Sequence, residues 1–249
     1  MVQKFILMLV AATFLMSAAS ALAVEPAGED AIEFQTAKIF QEALKTNDKQ
    51  TVAMLMRYPI GREYPLPAIK SPSDFISNWD DFFDASNIPA IIADEPDRVG
   101  WRGVMLGSGD VWFDGDRIIA INVRTKTFQK KFNEAKNRES LTIHPSARGY
   151  KSVALMCNTS TKSIRIQEHN DGIHYFVWKR GASLLEKPEL DLKGTQEFEG
   201  SGGNSTYTFK NRNYSYALYV PVICGEPASC SDTLTVSKEG KELSSQICK

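Results

Sequence analysis

A short segment of the first half concentrates carboxylates around a tryptophan: Asp74, Asp80, Asp81 and Asp84 lie on either side of Trp79. At the helical period, the segment 73–84 places its aromatic residues on one side and its carboxylates on the other, which predicts an amphipathic helix. An acidic face of this kind attracts a cationic partner, because like-signed charges add their fields. It is equally typical of a helix that only faces solvent, and both interpretations stay open.

A carboxylate beside Trp79 is also the candidate for acid–base chemistry in the first half. Asp80 or Asp81 would serve as a general base if burial raised its pKa. Histidine does not supply this group there, because the three histidines come later in the chain: His144, His169 and His174. The carboxylates match no calcium-binding loop, and no serine or cysteine lies in a nucleophile motif. The sequence therefore assigns no catalytic residue, no metal and no cofactor.

His169 and His174 flank a turn signal, Asn170-Asp171-Gly172, between two runs of strand-forming residues. This pattern predicts a β-hairpin that brings the two imidazoles onto adjacent strands. Two histidines on one hairpin could in principle bind a metal ion, although histidines on hairpins usually face solvent.

All four cysteines lie in the final part of the chain: Cys157, Cys224, Cys230 and Cys248. An even number confined to one segment predicts two disulfides in an oxidising compartment. Three pairings are possible. We favour Cys224–Cys230, which closes a short loop, together with Cys157–Cys248, which joins the two ends of the segment. A metal site is the alternative, but the spacing lacks a C-x-x-C pair.

The first residues have the three-part layout of a secretory signal. Lys4 gives the positive start, residues 5–16 form an apolar run, and Ala21-Leu22-Ala23 has the small residues of a cleavage site. We therefore expect residues 1–23 to be removed and the protein to be exported to the periplasm. No later stretch is long and apolar enough to predict a membrane span after cleavage. The formal net charge of −1 argues against general nucleic-acid binding, which needs a basic surface.

Charge divides the chain into an acidic first half, a basic connector and a nearly neutral, cysteine-bearing second half. This division predicts an α+β domain over 24–137, a linker over 138–150 and an all-β domain over 151–249. The connector either binds an anionic lipid or glycan or lies against the acidic first domain. Its basic residues are Lys126, Lys130, Lys131, Lys136, Arg138 and Arg148.

Helical patterns precede strand patterns in the first half, where the turn Gly107-Ser108-Gly109 separates predicted strands over 99–106 and 110–113. A further strand is expected over 117–123, and residues 127–137 fit either a helix or a strand. In the second half, about five or six short strands with regular turns predict a disulfide-bonded sandwich or barrel.

The first half resembles the NTF2-like (cystatin-like) α+β cone of exported bacterial proteins, in its order of helices and hairpins and in the string VGWRGVMLGSGDVWF over 99–113. This resemblance implies a conical pocket that Trp101 and Trp112 would line. The second half is similar to small periplasmic inhibitor domains in its size, strand content and cysteines.

These observations favour a non-enzymatic periplasmic binding protein. The expected partner is a cationic cell-wall hydrolase or toxin in the cell envelope, contacted by Asp81 and Asp84. A contact surface of aromatic side chains is also expected on the second half: Trp178, Tyr207, Tyr214, Tyr216 and Tyr219. The alternative is a small-molecule-binding or enzymatic cone that uses a buried carboxylate between Trp79 and Trp101.

Overall fold

A computed structural model describes residues 31–199, 203–222 and 230–249, with Trp101 described by its backbone alone. The predicted signal peptide, residues 1–23, and one predicted disulfide cysteine, Cys224, lie outside these residues. Within the described ranges, no helix is long and apolar enough to cross a membrane.

The first half combines helices with a small antiparallel sheet. Its helices are α1 (Ile32–Lys45), α2 (Lys49–Leu55), α3 (Pro72–Ser77) and α4 (Ile88–Ala93). Its strands follow in chain order as β1 (Asp97–Arg98), β2 (Val104–Leu106), β3 (Val111–Asp114) and β4 (Arg117–Ile121). Each strand pairs with the next, and the register places Val104 opposite Phe113.

Local chemistry fixes where these helices begin. The Asp48 side chain accepts a hydrogen bond from the Thr51 amide at the start of α2, 3.0 Å away. Ser71 caps α3 in the same way, and Pro72 occupies the first helical position, where its missing amide proton costs nothing. Helix α1 buries Phe40 completely against the sheet, with the Phe40 and Phe113 rings 5.6 Å apart.

The strand predicted over 99–106 is shorter in the structure. Gly100–Arg102 form a 3-10 turn, and β2 starts only at Val104. Gly103 causes the difference, because it has a φ of 98° and its α-carbon lies so close to the Phe113 carbonyl that no side chain fits. The predicted turn at 107–109 is confirmed, and all three of its residues have positive φ.

Helix α5 (Lys126–Ser140) occupies the segment that fitted either a helix or a strand. Thr125 caps it by accepting from the Phe128 amide at 3.0 Å. Phe128 and Phe132 are buried, so the polar helix is held by tertiary packing. The helix extends across the boundary predicted at residue 137.

The second half is one antiparallel sheet of eight described strands, each paired with the next. They are β5 (Ser152–Asn158), β6 (Lys162–His169), β7 (Gly172–Lys179), β8 (Leu190–Glu199), β9 (Asn204–Asn211), β10 (Tyr214–Val220), β11 (Thr233–Lys238) and β12 (Lys241–Ile247). The sheet curls into a half-barrel, so the all-β expectation is confirmed. The eight described strands exceed the five or six predicted, because the sequence pattern predicted no strand at β5 or at β8.

A disulfide joins the two edges of this sheet. Cys157 near the end of β5 is bonded to Cys248 directly after β12, across 91 residues of sequence. The Lys249 amide also donates to the Asn158 carbonyl at 3.0 Å. The predicted Cys157–Cys248 bridge is therefore confirmed. Cys230 is also disulfide-bonded, while Cys224, its predicted partner, lies outside the described residues.

The two faces of the half-barrel bury different residues. The concave face carries an apolar core that includes Leu155, Ile166 and Phe209. On the convex face, Phe176 and Trp178 pack against the segment that follows α5. The helical half therefore lies on the convex side of the sheet.

Candidate functional site

The acidic segment does not form one helix. Helix α3 ends at Ser77, and a separate 3-10 turn follows over Trp79–Asp81. Asn78 marks the break, because its side-chain amide donates to the Asp74 carbonyl at 2.9 Å and competes with helix continuation. The carboxylates of this segment therefore do not share one face.

Asp81 lies inside the protein rather than on a solvated face, so that prediction is wrong. It is 0% exposed, and its two oxygens lie 2.8 Å from Arg62 Nη1 and 2.7 Å from Lys131 Nζ. The 3-10 turn directs the carboxylate inward, and two cations compensate its buried charge. Through Lys131, the basic connector contacts the acidic first half. This agrees with the second of its two interpretations, contact with the acidic first domain.

The other three carboxylates of the segment remain nearer the surface. Asp80 is exposed. Hydrogen bonds from the hydroxyl and amide of Ser86 lower the pKa of Asp84. Asp74 accepts from the Lys70 amide at 2.9 Å, which ties it to the start of α3. Two of these three carboxylates therefore serve local turns.

The three tryptophans of the first half do not line one described pocket. Trp79 is 4% exposed and packs against Phe83, with ring centroids 4.8 Å apart. Trp112 lies on the face of β3 opposite the buried Val111, and its Nε1 donates to the Gly109 carbonyl at 2.9 Å. The side chain of Trp101 lies outside the described part of the chain.

A small cavity of about 260 Å³ does occur in the first half, beside α5. Arg62, Glu63 and Arg124 line it together with Phe82 and Phe128. Arg62 is already engaged with Asp81, and Glu63 pairs with Arg124 at 2.8 Å. The charges of Arg62, Glu63 and Arg124 at this cavity are therefore compensated by partners already in place.

The concave face of the half-barrel holds a larger cavity of about 400 Å³, which we call the concave cavity. Its walls are mainly apolar and aromatic: Ile164, Tyr175, Val177, Tyr216, Leu234 and Val236. Polar residues such as Lys162, Glu189 and Gln246 complete the lining. Lys162 and Glu189 form an ion pair with each other.

The sheet register places the aromatic residues of this cavity. Tyr216 on β10 pairs directly with Val236 on β11, so both side chains point to the same face. The Tyr175 ring lies 5.5 Å from that of Tyr216 and stacks on Phe209. Burial raises the pKa of both tyrosines, which keeps their phenols neutral.

A second cavity of about 490 Å³ is more polar, and its lining includes Glu168, His169, Gln196 and Tyr207. Gln196 Nε2 donates to the Tyr207 hydroxyl at 2.9 Å across the β8–β9 pair. Polar groups that line this second cavity thus bond to one another, which makes the cavity a weaker candidate for an apolar ligand.

The predicted hairpin brings His169 and His174 together, with ring centroids 4.6 Å apart. The two nitrogens of His174 lie 3.2 Å from Asp191 and 3.1 Å from Asp171. Burial and the neighbouring His174 lower the pKa of His169. Among the described residues, no group of three or more His, Cys, Asp or Glu side chains could hold a metal ion.

The five aromatic residues expected to form a contact surface are distributed over different sides of the sheet. Trp178 is 1% exposed on the convex side, and Tyr207 is 7% exposed within the concave core. Tyr219 lies on the face of β10 opposite Tyr216, where its hydroxyl accepts from Asn204. The expectation of one aromatic surface is therefore wrong, because strand alternation separates these side chains.

Sequence reasoning missed the residues of the concave cavity other than Tyr216. The sequence signal that could have found them is the alternation of side chains between the two faces of the sheet along β7 and β11. This alternation places Tyr175 and Val236 on the same side of the sheet. No protein-family model, curated protein or solved structure matches the chain.

Proposed function

We propose that the protein is an exported, non-enzymatic binding protein that holds the apolar part of a small amphipathic molecule in the concave cavity. The observation that carries this proposal is the cavity of about 400 Å³ with apolar and aromatic walls. Ligand sites in proteins commonly have this size and lining, and β-barrel mouths are among their usual places.

The ligand chemistry follows from the lining. Ile164, Leu234 and Val236 offer only apolar contacts, so the buried part of the ligand is apolar. The neutral phenols of Tyr175 and Tyr216 add one hydroxyl each that can donate or accept. The ion pair of Lys162 with Glu189 is more than a third exposed on each side, so either group can turn to a polar head group.

Export is the second part of the proposal. The signal-like segment 1–23 supports it, and so does the Cys157–Cys248 disulfide, because such bonds persist mainly in oxidising compartments. The periplasm is the compartment we propose.

For the first half we propose an NTF2-like α+β arrangement that supports the half-barrel. The order of four helices before the four-stranded antiparallel sheet supports this assignment. Trp79 and the phenylalanines around it occupy the interior, so this half offers less room for a ligand than the concave cavity does.

A cationic hydrolase or toxin as partner loses one of its two expected contacts, because Asp81 is buried between Arg62 and Lys131. The enzymatic alternative needs a buried carboxylate next to a pocket, and Asp81 is held by these same two cations. We therefore favour the small-molecule version of the proposal.

The test is titration of the full chain with the apolar fluorophore 1-N-phenylnaphthylamine. The variant Val236→Trp fills the cavity, whereas Thr235→Trp places the same bulk on the opposite face of β11 and serves as its matched control. We expect saturable binding to the parent chain and to Thr235→Trp, and binding at least about tenfold weaker to Val236→Trp. Equal binding by the two variants, or none by the parent, would overturn the proposal.

A further inference from the structure

Tyr175 on β7 is a buried side chain whose hydroxyl has no partner among the residues that the structure describes. The residue is only 2% exposed, yet its phenol forms no hydrogen bond with any of them. Buried polar groups normally have such a bond, because losing the bonds to water without replacing them is costly. The unpaired hydroxyl therefore indicates a place where a bound molecule can supply the missing bond.

This hydroxyl is accessible from the concave cavity, which Tyr175 helps to line. Some buried polar atoms of the described chain, such as Gln167 Nε2 on the opposite face of the sheet, are both unpaired and closed off from solvent. The Tyr175 oxygen is not one of these atoms, so it keeps some accessible surface. Because the side chain lies on the concave face, a ligand in the cavity can reach that surface.

The surrounding sheet holds the Tyr175 side chain in one position. Strand β7 lies between two other strands, and Tyr175 pairs with Ile166 on β6 and with Leu192 on β8. Its ring stacks on Phe209, with ring centroids 4.8 Å apart. A donor that is fixed before the ligand arrives loses little conformational entropy on binding. The Tyr175 hydroxyl therefore suits a specific hydrogen bond to a ligand.

Tyr216 on β10 places a second phenol beside the first. The two ring centroids lie 5.5 Å apart, and the Tyr216 hydroxyl also lacks a hydrogen bond within the described part of the chain. Burial raises the pKa of each phenol, and the neighbouring Tyr216 raises that of Tyr175 further. Both phenols therefore keep their protons at neutral pH, so each can donate to an oxygen acceptor.

The charges at the concave cavity balance each other without a ligand. Lys162 and Glu189 are the charged residues of its lining, and they form an ion pair. A ligand carboxylate would compete with Glu189 for Lys162, and a ligand ammonium would compete with Lys162 for Glu189. Either ligand would leave one charge of the lining without its partner. The lining therefore favours an uncharged ligand.

We infer that the ligand of the concave cavity carries an uncharged carbonyl oxygen, which accepts a hydrogen bond from the Tyr175 hydroxyl and a second one from Tyr216. A carbonyl suits two donors, because its oxygen has two lone pairs and no hydrogen of its own. The rest of the ligand is hydrocarbon and lies against apolar side chains that include Val177, Leu234 and Val236. This inference rests on the proposed function, since it assigns the chemistry of the same cavity.

The test compares three probes of similar size that differ in one group: 2-acetylnaphthalene, 2-isopropylnaphthalene and 2-naphthoate. Each probe is titrated against the full chain as a competitor of 1-N-phenylnaphthylamine. We expect 2-naphthoate to bind at least about tenfold more weakly than 2-acetylnaphthalene, because its charge has no unpaired partner in the cavity. Equal binding of these two probes would overturn the inference of an uncharged ligand.

Two variants locate the hydrogen bond. Tyr175→Phe removes only the hydroxyl, and its matched control Tyr219→Phe removes a hydroxyl on the opposite face of β10. We expect Tyr175→Phe to bind 2-acetylnaphthalene at least about fivefold more weakly than the parent does, because the carbonyl is left unpaired. The same variant should bind 2-isopropylnaphthalene like the parent, and Tyr219→Phe should bind both probes like the parent. Unchanged 2-acetylnaphthalene binding by Tyr175→Phe would overturn the inference, and so would an equal loss for both probes.

The failure of this inference can be distinguished from that of the proposed function. If the parent chain does not bind 1-N-phenylnaphthylamine, both fail. If it binds the fluorophore but Tyr175→Phe keeps the parent's affinity for 2-acetylnaphthalene, only the carbonyl contact is wrong. The urea midpoint of Tyr175→Phe without a probe should equal or exceed that of the parent, because the lost hydroxyl has no partner in the described chain. A lower midpoint would assign the hydroxyl a structural bond and overturn the inference.

Discussion

The four-stranded sheet of the first half is covered by helices, whereas the eight-stranded sheet of the second half curls and covers much of its own concave face. Helices bring long side chains from outside the sheet, and Phe40, Phe75 and Phe83 are fully or almost fully buried there. A curled sheet has only its own alternate residues to fill its interior. This difference in how the two sheets are filled explains why the larger apolar cavity lies in the second half. Destabilising each half separately tests the difference.

The largest expected effect concerns the Cys157–Cys248 disulfide, which joins the two edges of the eight-stranded sheet. The double variant Cys157→Ser/Cys248→Ser opens a loop of 91 residues, which should cost about 4–5 kcal/mol of unfolding free energy by the loop-entropy estimate. Urea unfolding followed by hydrogen exchange measures the loss for each half. We expect β5 and β12 to lose protection while α1 keeps its own, and equal losses in both halves would contradict the comparison.

The second effect concerns the first half. Asp81→Ala leaves Arg62 as a buried cation with a side chain only 6% exposed, and breaking such a pair should cost roughly 3–4 kcal/mol. This cost lies at the low end of the range for breaking a buried ion pair, because the Lys131 side chain is 38% exposed and can reach water. Asp80→Ala, at the exposed neighbouring position, should change stability by less than about 0.5 kcal/mol. Similar urea midpoints for the two variants would show that Asp81 is not buried as described.

A third effect probes packing within the curled sheet. At Gly194 on β8, a β-carbon would collide with the Thr208 carbonyl and with the Phe209 ring. Gly194→Ala should therefore cost about 1–3 kcal/mol. Gly61→Ala in the first half is the control, because open space surrounds that position. Thermal unfolding of both variants gives the difference, and a Gly194→Ala protein as stable as the parent would refute the close approach.

The smallest effect depends on pH. Burial and His174 lower the pKa of His169 below the ordinary 6.5, and Lys136 acts in the same direction, while Asp171 and Asp191 oppose it. The unfolded chain therefore takes up the proton first as the pH falls, so stability is lost from about pH 6.5 downward to the folded pKa. Urea midpoints at pH 7 and pH 5 measure the loss.

His169→Gln should reduce this pH dependence, because it removes the group that titrates. His144→Gln keeps His169 and its neighbours, because His144 bonds to Ser146 outside the hairpin, so this control should retain the loss that His169 causes. Identical pH profiles for all three proteins would assign the effect to other groups.

Local signals were sufficient to predict several elements. The turns at 107–109 and at Asn170-Asp171 follow from glycine and asparagine chemistry. The Cys157–Cys248 bridge belongs to the favoured one of the three pairings that the four cysteines allow. The turns depend on short stretches of sequence, and the small number of cysteines limits the possible disulfides, so these features could be predicted without knowing the fold.

Other features depend on tertiary context. Asp81 turns inward only because the helix breaks at Asn78 and two cations from distant segments meet it. Strand β8 has no fully buried residue, so its alternation gave too weak a signal for a strand. The concave cavity arises from the curl of the sheet, which no local pattern encodes.

The sulfur bridge between the sheet edges also has a mechanical consequence. A force that pulls Lys249 away from the helical half passes from Cys248 through the disulfide directly into Cys157 on β5. From there it continues toward α5 without loading the six strands between the two edges. Those strands, and the cavity they enclose, would stay folded under a tension that ruptures the connection between β5 and the helical half.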